Sequence, residues 1–452
     1  MTQDTIAAIA TAPGRGAIGV VRVSGPASRE VAIALTGSVP PPRAARLATF
    51  CNQQGQALDE GITLYFEAPA SYTGEDCLEL QGHGGSAVLA QILEAVLACG
   101  VRLAQPGEFT RRAFRHGKLN LAQAEAVADL IGAVTPQSAL AAARSLHGAF
   151  SDAIYEMAEM LAAIRATVEA YIDFAEDVGD NPEIMAEARD LLEALNNRLE
   201  GVLSRAQLGR ALAEGLLVVL VGEPNAGKSS LFNVLCGEDA AIVTAMPGTT
   251  RDALLRMLQL DGLVVHLADT AGLSAAPDPI EALGMQKTNA TCLKADLLVA
   301  VASDEQPFQA QQDLVQHLLH DLSIHVPVVW VRNKIDLTGS MPALEEHDGN
   351  PVVHCSALSG AGMDFLRQAI KGQLLRDSAD QEPPFAARRR HVESLTQVHA
   401  SLQAAGHFLM QGPLELAAEQ LRQAQMGLGE IVGESSNEEL LDRIFSSFCI
   451  GK

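Results

Sequence analysis

Residues 222–229 read Gly-Glu-Pro-Asn-Ala-Gly-Lys-Ser and sit between an apolar β-type run, LLVVLVG, and a helical pattern. Gly222 and Gly227 let such a loop close tightly, so its backbone N–H groups converge, and the following helix adds the positive end of its dipole. Few short segments constrain a chain as strongly: this strand–loop–helix unit is a cradle for phosphate. Asn225, Ala226 and Gly227 line the loop. Lys228 is placed to reach β- and γ-phosphates, the Ser229 hydroxyl to coordinate Mg²⁺, and Ser230 follows it into the helix.

The surrounding sequence repeats the pattern. From about 215 to 375 the runs LLVVLVG, LVVHLAD, DLLVAVAS, VPVVWVRN and PVVHCSA alternate with helical stretches. Nearly all-apolar runs suit strands covered on both faces, so a doubly wound parallel sheet is expected. Three more motifs fall at strand C-terminal ends, where such sheets bind ligands. Asp269-Thr270-Ala271-Gly272 offers a carboxylate for Mg²⁺ through water and an amide for a γ-phosphate. Asn333-Lys334-Ile335-Asp336 offers a carboxylate that accepts from guanine N1–H and N2–H₂, a donor pair that adenine lacks. Ser356-Ala357-Leu358 offers a backbone amide to guanine O6. Thr250, in Gly248-Thr249-Thr250-Arg251-Asp252, is the expected second Mg²⁺ ligand. Together these motifs predict an α/β P-loop GTPase domain of the Ras-like kind. A Ras-like enzyme carries a water-orienting glutamine just after D-x-x-G. Here that residue is Leu273, and the acids that follow, Asp278 and Glu281, look alike from residue type alone.

The flanks differ. Residues 1–118 read as α+β, with short β-branched runs, turn clusters and one helix near 86–99. Residues 119–213 are rich in Ala, Leu and Glu at 3.6-residue spacing, and Asp180-Asn181-Pro182 predicts a break between two long helices. After a polar linker at 378–384 the helical pattern resumes to 452, with an apolar stripe at 414, 417, 418, 421, 424, 428, 431 and 432. The economical reading is a helical domain built from 119–213 and 379–452, with a nucleotide domain at 214–378 inserted into it. Two independent helical domains are the alternative.

Global limits narrow the classes. A chain of 452 residues suits about three domains. Seven cysteines without a C-x-x-C pair argue against a zinc ribbon or disulfide scaffold and suit a reducing compartment. No uncharged apolar run approaches the ~18 residues of a membrane span, so a cytoplasmic protein is expected. The net charge of −23 excludes a surface that coats nucleic acid as a whole.

Other segments carry a resemblance over the whole chain. They are Ala12-Pro13-Gly14-Arg15-Gly16 with Gly19-Val20-Val21-Arg22-Val23-Ser24-Gly25; Tyr72-Thr73-Gly74-Glu75-Asp76 through Glu79 to Gly82-His83-Gly84-Gly85; Pro106-Gly107-Glu108-Phe109; Lys118-Leu119-Asn120-Leu121-Ala122-Gln123-Ala124-Glu125-Ala126; and Phe448-Cys449-Ile450-Gly451-Lys452. On these the sequence resembles the MnmE (TrmE) family of tRNA-modification GTPases. The resemblance implies an N-terminal tetrahydrofolate-binding and dimerisation domain, a discontinuous helical domain and an inserted G domain. It also implies a homodimer, and a heterotetramer with the FAD protein MnmG, so that FAD enters only through that partner. Together they would add an aminomethyl or carboxymethylaminomethyl group to C5 of the tRNA wobble uridine. The carbon would come from a tetrahydrofolate derivative, in 5,10-methylene or 5-formyl form.

The same resemblance implies site residues. K⁺ would be held by Asn225 and by the loop Thr244, Ala245, Met246, Pro247, Gly248 and Thr249, with Thr244, Met246 and Thr249 as its ligands there. Glu281 would orient the attacking water. Arg22, Glu79, Lys118 and Lys452 would bind folate, with Glu79 facing the pterin donors and the cations facing the glutamate tail. Two competing readings are an RNA- or ribosome-binding switch and a folate enzyme that GTP merely regulates. Arg111, Arg112, Arg115 and Lys118, and Arg388-Arg389-Arg390-His391, are the local basic stretches expected to assist a tRNA contact, with MnmG supplying much of the affinity.

Overall fold

The computed structural model describes residues 4–173, 182–238, 255–260, 263–269, 289–322, 326–374, 383–434 and 437–451. The chain divides into two compact units. One holds residues 1–128, 145–196 and 397–452; the other holds 129–144 and 197–396.

The first unit begins with β1 (Ile6–Ile9), β2 (Ile18–Ser24), α1 (Ser28–Thr36), β3 (Arg46–Cys51), β4 (Ala57–Phe66), β5 (Cys77–His83), α2 (Ser86–Leu97), β6 (Arg102–Leu103) and α3 (Glu108–Arg115). The strands form one sheet in the order β3-β4-β5-β2-β1-β6, antiparallel except where β6 joins β1. Side chains alternate across a strand, so each strand feeds two faces. Ala7, Val21, Val23, Leu78 and Leu80 form a core with Val31, Leu35, Leu89 and Ile92 of α1 and α2. The residues between them fall on the opposite face, where the register pairs Arg22 with Glu79 and with Ala8.

The helical block then runs α4 (Leu121–Gly132), α5 (Pro136–Leu146), α6 (Ala149–Asp173) and α7 (Pro182–Glu214). Two long helices were expected, and the described residues form four. The first extra break is built by Thr135 and Ser138. The Thr135 N–H donates to Ser138 Oγ at 3.1 Å and the Ser138 N–H to Thr135 Oγ1 at 3.0 Å, a reciprocal cap ahead of a helix opened by Pro136. The second lies at Gly148, whose φ of 102° suits glycine.

The second unit is centred on β7 (Leu216–Val221), α8 (Lys228–Glu238), β8 (Leu255–Leu260), β9 (Leu263–Asp269), β10 (Leu297–Ser303), α9 (Phe308–Leu322), β11 (Val328–Asn333), α10 (Ile335–Thr338), β12 (Ala343–His347), β13 (Asn350–His354) and α11 (Met363–Leu374). All five apolar runs are strands. The sheet order is β12-β13-β11-β10-β7-β9-β8, with a parallel centre. The five expected runs pair parallel throughout, and two further strands, β8 and β12, add antiparallel edges. Val218, Leu220, Val299 and Val331 pack on one face with Leu231 and Leu366. Val219, Val221, Leu298 and Trp330 pack on the other with Val315. Ala141, Ala142, Leu212, Leu263 and Ala386 form a further buried cluster in this unit.

Three helices complete the chain: α12 (Arg389–Gln411), α13 (Leu414–Val432) and α14 (Glu438–Ser446). In the first unit α13 packs on α6. It buries Ala417, Leu421, Ala424, Leu428, Ile431 and Val432, while Leu414 and Ala418 of the expected stripe are half-buried. Leu441, Ile444, Phe445 and Phe448 close over Leu121 and Ala124. A Cβ on Gly107 would lie 2.6 Å from the Phe445 carbonyl oxygen, and one on Gly451 would lie 2.3 Å from that of Ile9. Glycine is therefore required where this segment meets the N-terminal sheet.

Candidate nucleotide site

The phosphate loop leaves β7 at Gly222 and enters α8 at Lys228. Its backbone explains its composition. Gly222 has φ 145° and Gly227 has φ 95°, a region that side chains rarely tolerate. A Cβ on Gly222 would come within 2.0 Å of the Val301 carbonyl, and one on Gly227 within 2.1 Å of Asn333 Nδ2. Asn225 itself has φ 62° on the exposed crown of the loop.

Lys228 is 6% exposed and curls back over the loop, donating through Nζ to the carbonyls of Gly222 and Glu223, both at 2.8 Å. Burial pushes its ammonium below the usual value, against the pull of Asp269 and Glu223. An anion in the loop would relieve that cost. The Ser229 hydroxyl donates to Asp269 Oδ2 at 2.7 Å. A hydroxyl and a carboxylate this close are the hard-oxygen donors Mg²⁺ prefers, so the residues fit the ion.

The guanine-side motifs converge on Asn333, which is 1% exposed. Its Nδ2 donates to the Ala226 carbonyl at 3.0 Å, and its Oδ1 accepts from the Ala357 amide at 3.0 Å. Lys334 adopts φ 68°, turning the chain out of the strand and leaving Asp336 exposed. The Ser356 hydroxyl hydrogen-bonds the Asp336 carboxylate. The amides of Ser356 and Ala357 are given to Ala361 and Asn333. Leu358 is exposed and Ser230 lies exposed on the first turn of α8. Thr244, Ala245, Met246, Pro247, Gly248, Thr249, Thr250, Thr270, Ala271, Gly272, Glu281 and Lys452 lie outside the described residues.

Motif reading missed the groups around Asp304, which directly follows β10. The Asp304 amide donates to the Asn333 carbonyl at 2.7 Å. Its carboxylate accepts from Arg332 Nε at 3.3 Å, from the Thr338 hydroxyl at 2.6 Å and from the Ser340 hydroxyl at 2.7 Å. Burial pushes this carboxyl up, but the hydrogen bonds from Thr338 and Ser340 and the charge of Arg332 outweigh it and hold it below the ordinary range. Its place after a sheet strand's C-terminal end was the one available signal.

On the N-terminal sheet, Arg22 donates to Glu79 Oε1 through Nε at 3.0 Å and Nη2 at 2.9 Å. Gln81 donates to Glu79 Oε2 at 3.2 Å. The Arg22 guanidinium lies 5.5 Å from the Tyr72 ring centre and 5.8 Å from that of Phe109. The structure thus brings Arg22 and Glu79 together. Lys118 is exposed. The basic stretches are largely neutralised within their own units. Arg111 and Arg115 pair with Glu438, Arg112 pairs with Asp4, Glu75 and Glu108, and Arg388 pairs with Asp129. Among the described residues no cluster of His, Cys, Asp and Glu is suited to hold a metal, and no helix is long and apolar enough to cross a membrane.

Comparison with known proteins covers the whole chain. Residues 5–118 match the family described as GTP-binding protein TrmE N-terminus, and residues 121–449 match the MnmE helical domain. A protein of Nitrosococcus oceani named tRNA modification GTPase MnmE is 48% identical over 451 residues, spanning 100% of this chain and 97% of its own. Proteins of the same name from Nitrosomonas europaea and Sodalis glossinidius are 46% and 47% identical, with at least 99% of each chain covered. Among solved structures, the G domain of the T. maritima FeoB iron transporter aligns at 26% identity and a TM-score of 0.26, over 35% of this chain and 98% of that one.

Proposed function

This chain belongs to the family of tRNA modification GTPases MnmE, and from that premise we propose that it is a potassium-dependent GTP hydrolase that, with the FAD protein MnmG, adds an aminomethyl or carboxymethylaminomethyl group to C5 of the tRNA wobble uridine. That it is a GTPase of tRNA modification, using a nucleotide and Mg²⁺, follows from the family. One observation supports the GTP-hydrolysing part of that reading: Lys228, the Ser229–Asp269 pair and the Asn333–Asp336 turn sit together at the C-terminal edge of one sheet.

Each residue then has a role. Lys228 exchanges the Gly222 and Glu223 carbonyls for β- and γ-phosphate oxygens. Ser229 and Thr250 would hold Mg²⁺, and Asp269, now accepting from the Ser229 hydroxyl, would hold it through a water. Asp336 accepts from the guanine edge while Asn333 fixes the distance between base and phosphate subsites. Mg²⁺ supplies charge neutralisation at the β- and γ-phosphates when bound. With Leu273 unable to orient water, Glu281 takes that role. K⁺ would be held by Asn225 with Thr244, Met246 and Thr249 and would stand where an arginine finger acts in other GTPases.

The reading extends to the domains. Residues 1–118 would bind a tetrahydrofolate derivative and dimerise. Residues 119–213 and 379–452 would form the helical domain, and 214–378 the G domain. For folate, Glu79 would offer its carboxylate to the pterin donors and Lys118 and Lys452 would face the tail; Arg22, expected at the tail as well, is paired with Glu79 and would orient it instead. MnmG would bring FAD and complete a heterotetramer in the cytoplasm. The pairing of Arg111, Arg112, Arg115 and Arg388 with carboxylates supports a tRNA contact carried largely by that partner. The test is the wobble-uridine content of tRNA from a strain lacking this protein. We expect the C5 modification to vanish, to return with the intact chain and to stay absent with Lys228→Ala. Full modification in the deletion strain would refute the reading and favour a regulatory switch.

A further inference from the structure

We propose that Asp304 is a positioning residue for guanine selectivity: its carboxylate ties together the two ends of the Asn333–Asp336 turn. The proposal rests on the reading of that turn as the guanine subsite. Asp336 is exposed on a short turn whose entry, Lys334, has a left-handed backbone. A carboxylate so placed discriminates among bases only if the turn is held still, because a hydrogen-bonding pair must meet both guanine donors at once.

Asp304 supplies that restraint from both sides. Before the turn, its Oδ1 accepts from Arg332 Nε, and its backbone carbonyl accepts from Arg332 Nη2 at 2.8 Å. The Asp304 amide also holds the Asn333 carbonyl. After the turn, its Oδ2 accepts from the hydroxyls of Thr338 and Ser340. The Asp304 side chain is 7% exposed and that of Arg332 is 9% exposed, so water competes little for the contact between them. His354, on β13 beside Arg332, lies 3.5 Å from Asp304 Oδ1 and is, among the described residues, the further titratable group in contact with it. Arg332 also donates to the Gln306 carbonyl at 2.5 Å, which anchors the clamp to the loop after β10.

The experiment measures release of GDP and of IDP, which lacks the exocyclic amino donor, from the full-length protein. Asp304→Asn keeps shape but turns one acceptor into a donor facing Arg332 or the two hydroxyls. GDP release should speed up about tenfold, and the preference for GDP over IDP should fall by about threefold. The milder double variant Thr338→Val with Ser340→Ala removes two exposed donors without disturbing the sheet, and should shift both readouts the same way by less. Faster release with unchanged GDP-to-IDP preference would overturn the proposal, since general loosening does not sense the amino group. Wild-type behaviour in both variants would overturn it equally. Asp336→Asn tests the underlying reading separately: it should lose GDP and gain xanthosine diphosphate, whose C2 carbonyl accepts from the new amide. Retained GDP binding there would refute the guanine subsite itself.

Discussion

The Asn333 side-chain amide donates to the Ala226 carbonyl, 107 residues earlier in the chain, at 3.0 Å. Through the same side chain the Ala357 amide is held as well. One buried residue therefore spaces the phosphate loop, the base-reading turn and the last strand end of the site.

Asn333→Ala should uncouple these segments. It leaves a buried carbonyl and a buried amide without partners, each worth roughly 1–3 kcal/mol. Urea unfolding should show a loss of about 2–4 kcal/mol, and GDP affinity measured by fluorescent-nucleotide titration should fall at least about tenfold. Unchanged affinity would mean that the strut is dispensable.

Ser229→Ala should separate metal from nucleotide. The hydroxyl now given to Asp269 is the one assigned to Mg²⁺. Turnover in Mg²⁺ should fall about a hundredfold, whereas GDP binding in excess chelator should stay at the wild-type level. A variant with a normal Mg²⁺ response would remove Ser229 from the metal shell.

Glu281→Ala should abolish hydrolysis, by a factor of about 10² or more, while nucleotide binding stays intact. Single-turnover assays in potassium and in sodium read both effects. Near-normal potassium-stimulated turnover would sink the assignment.

Glu79→Gln should weaken tetrahydrofolate binding to the intact protein and leave GTP turnover alone. The substitution also deprives Arg22 of its charged partner, so Arg22→Met in the same background should add little further loss. Fluorescence titration with 5-formyltetrahydrofolate provides the readout; additive losses would place the two residues in separate roles.

The first unit should weaken in acid. Burial pushes the Asp4 and Glu108 carboxyls up, but Arg102 and Arg112 outweigh it and hold both below the ordinary range. A carboxyl with a depressed folded-state pKa adds stability above its unfolded value, near 4, and loses it as pH drops through the folded value. Tm should therefore fall as pH decreases from about 5. Arg102→Met should start lower and fall less steeply; parallel curves would show that these pairs carry no linkage.

What the sequence revealed followed from signal strength. The five apolar runs were legible because a strand buried on both faces leaves few polar residues, such as His266 and Arg332, to blur it. The glycines of the phosphate loop were legible because their backbone admits little else. The edge strands Leu255–Leu260 and Ala343–His347 were not, since one is half-exposed and the other carries Glu345, Glu346 and His347. The breaks near Thr135 and Gly148 were hidden in alanine-rich sequence whose periodicity continues across them. Asp304, Arg332, Thr338 and Ser340 fit no motif, because their role lies in mutual geometry rather than spacing.

The closing segment imposes an order on biosynthesis. Leu441, Ile444, Phe445 and Phe448 cover Leu121 and Ala124, and Gly451 lies against the first strand. On a ribosome, the N-terminal sheet emerges more than 300 residues before the side chains that cover this cluster. At a typical elongation rate that is a wait of roughly half a minute. During that interval the nucleotide-binding unit has time to fold, while the earlier-made unit waits uncapped with Leu121 open to chaperones. A nonsense mutation late in the gene would leave the GTPase site nearly whole yet strand the N-terminal unit in its nascent form.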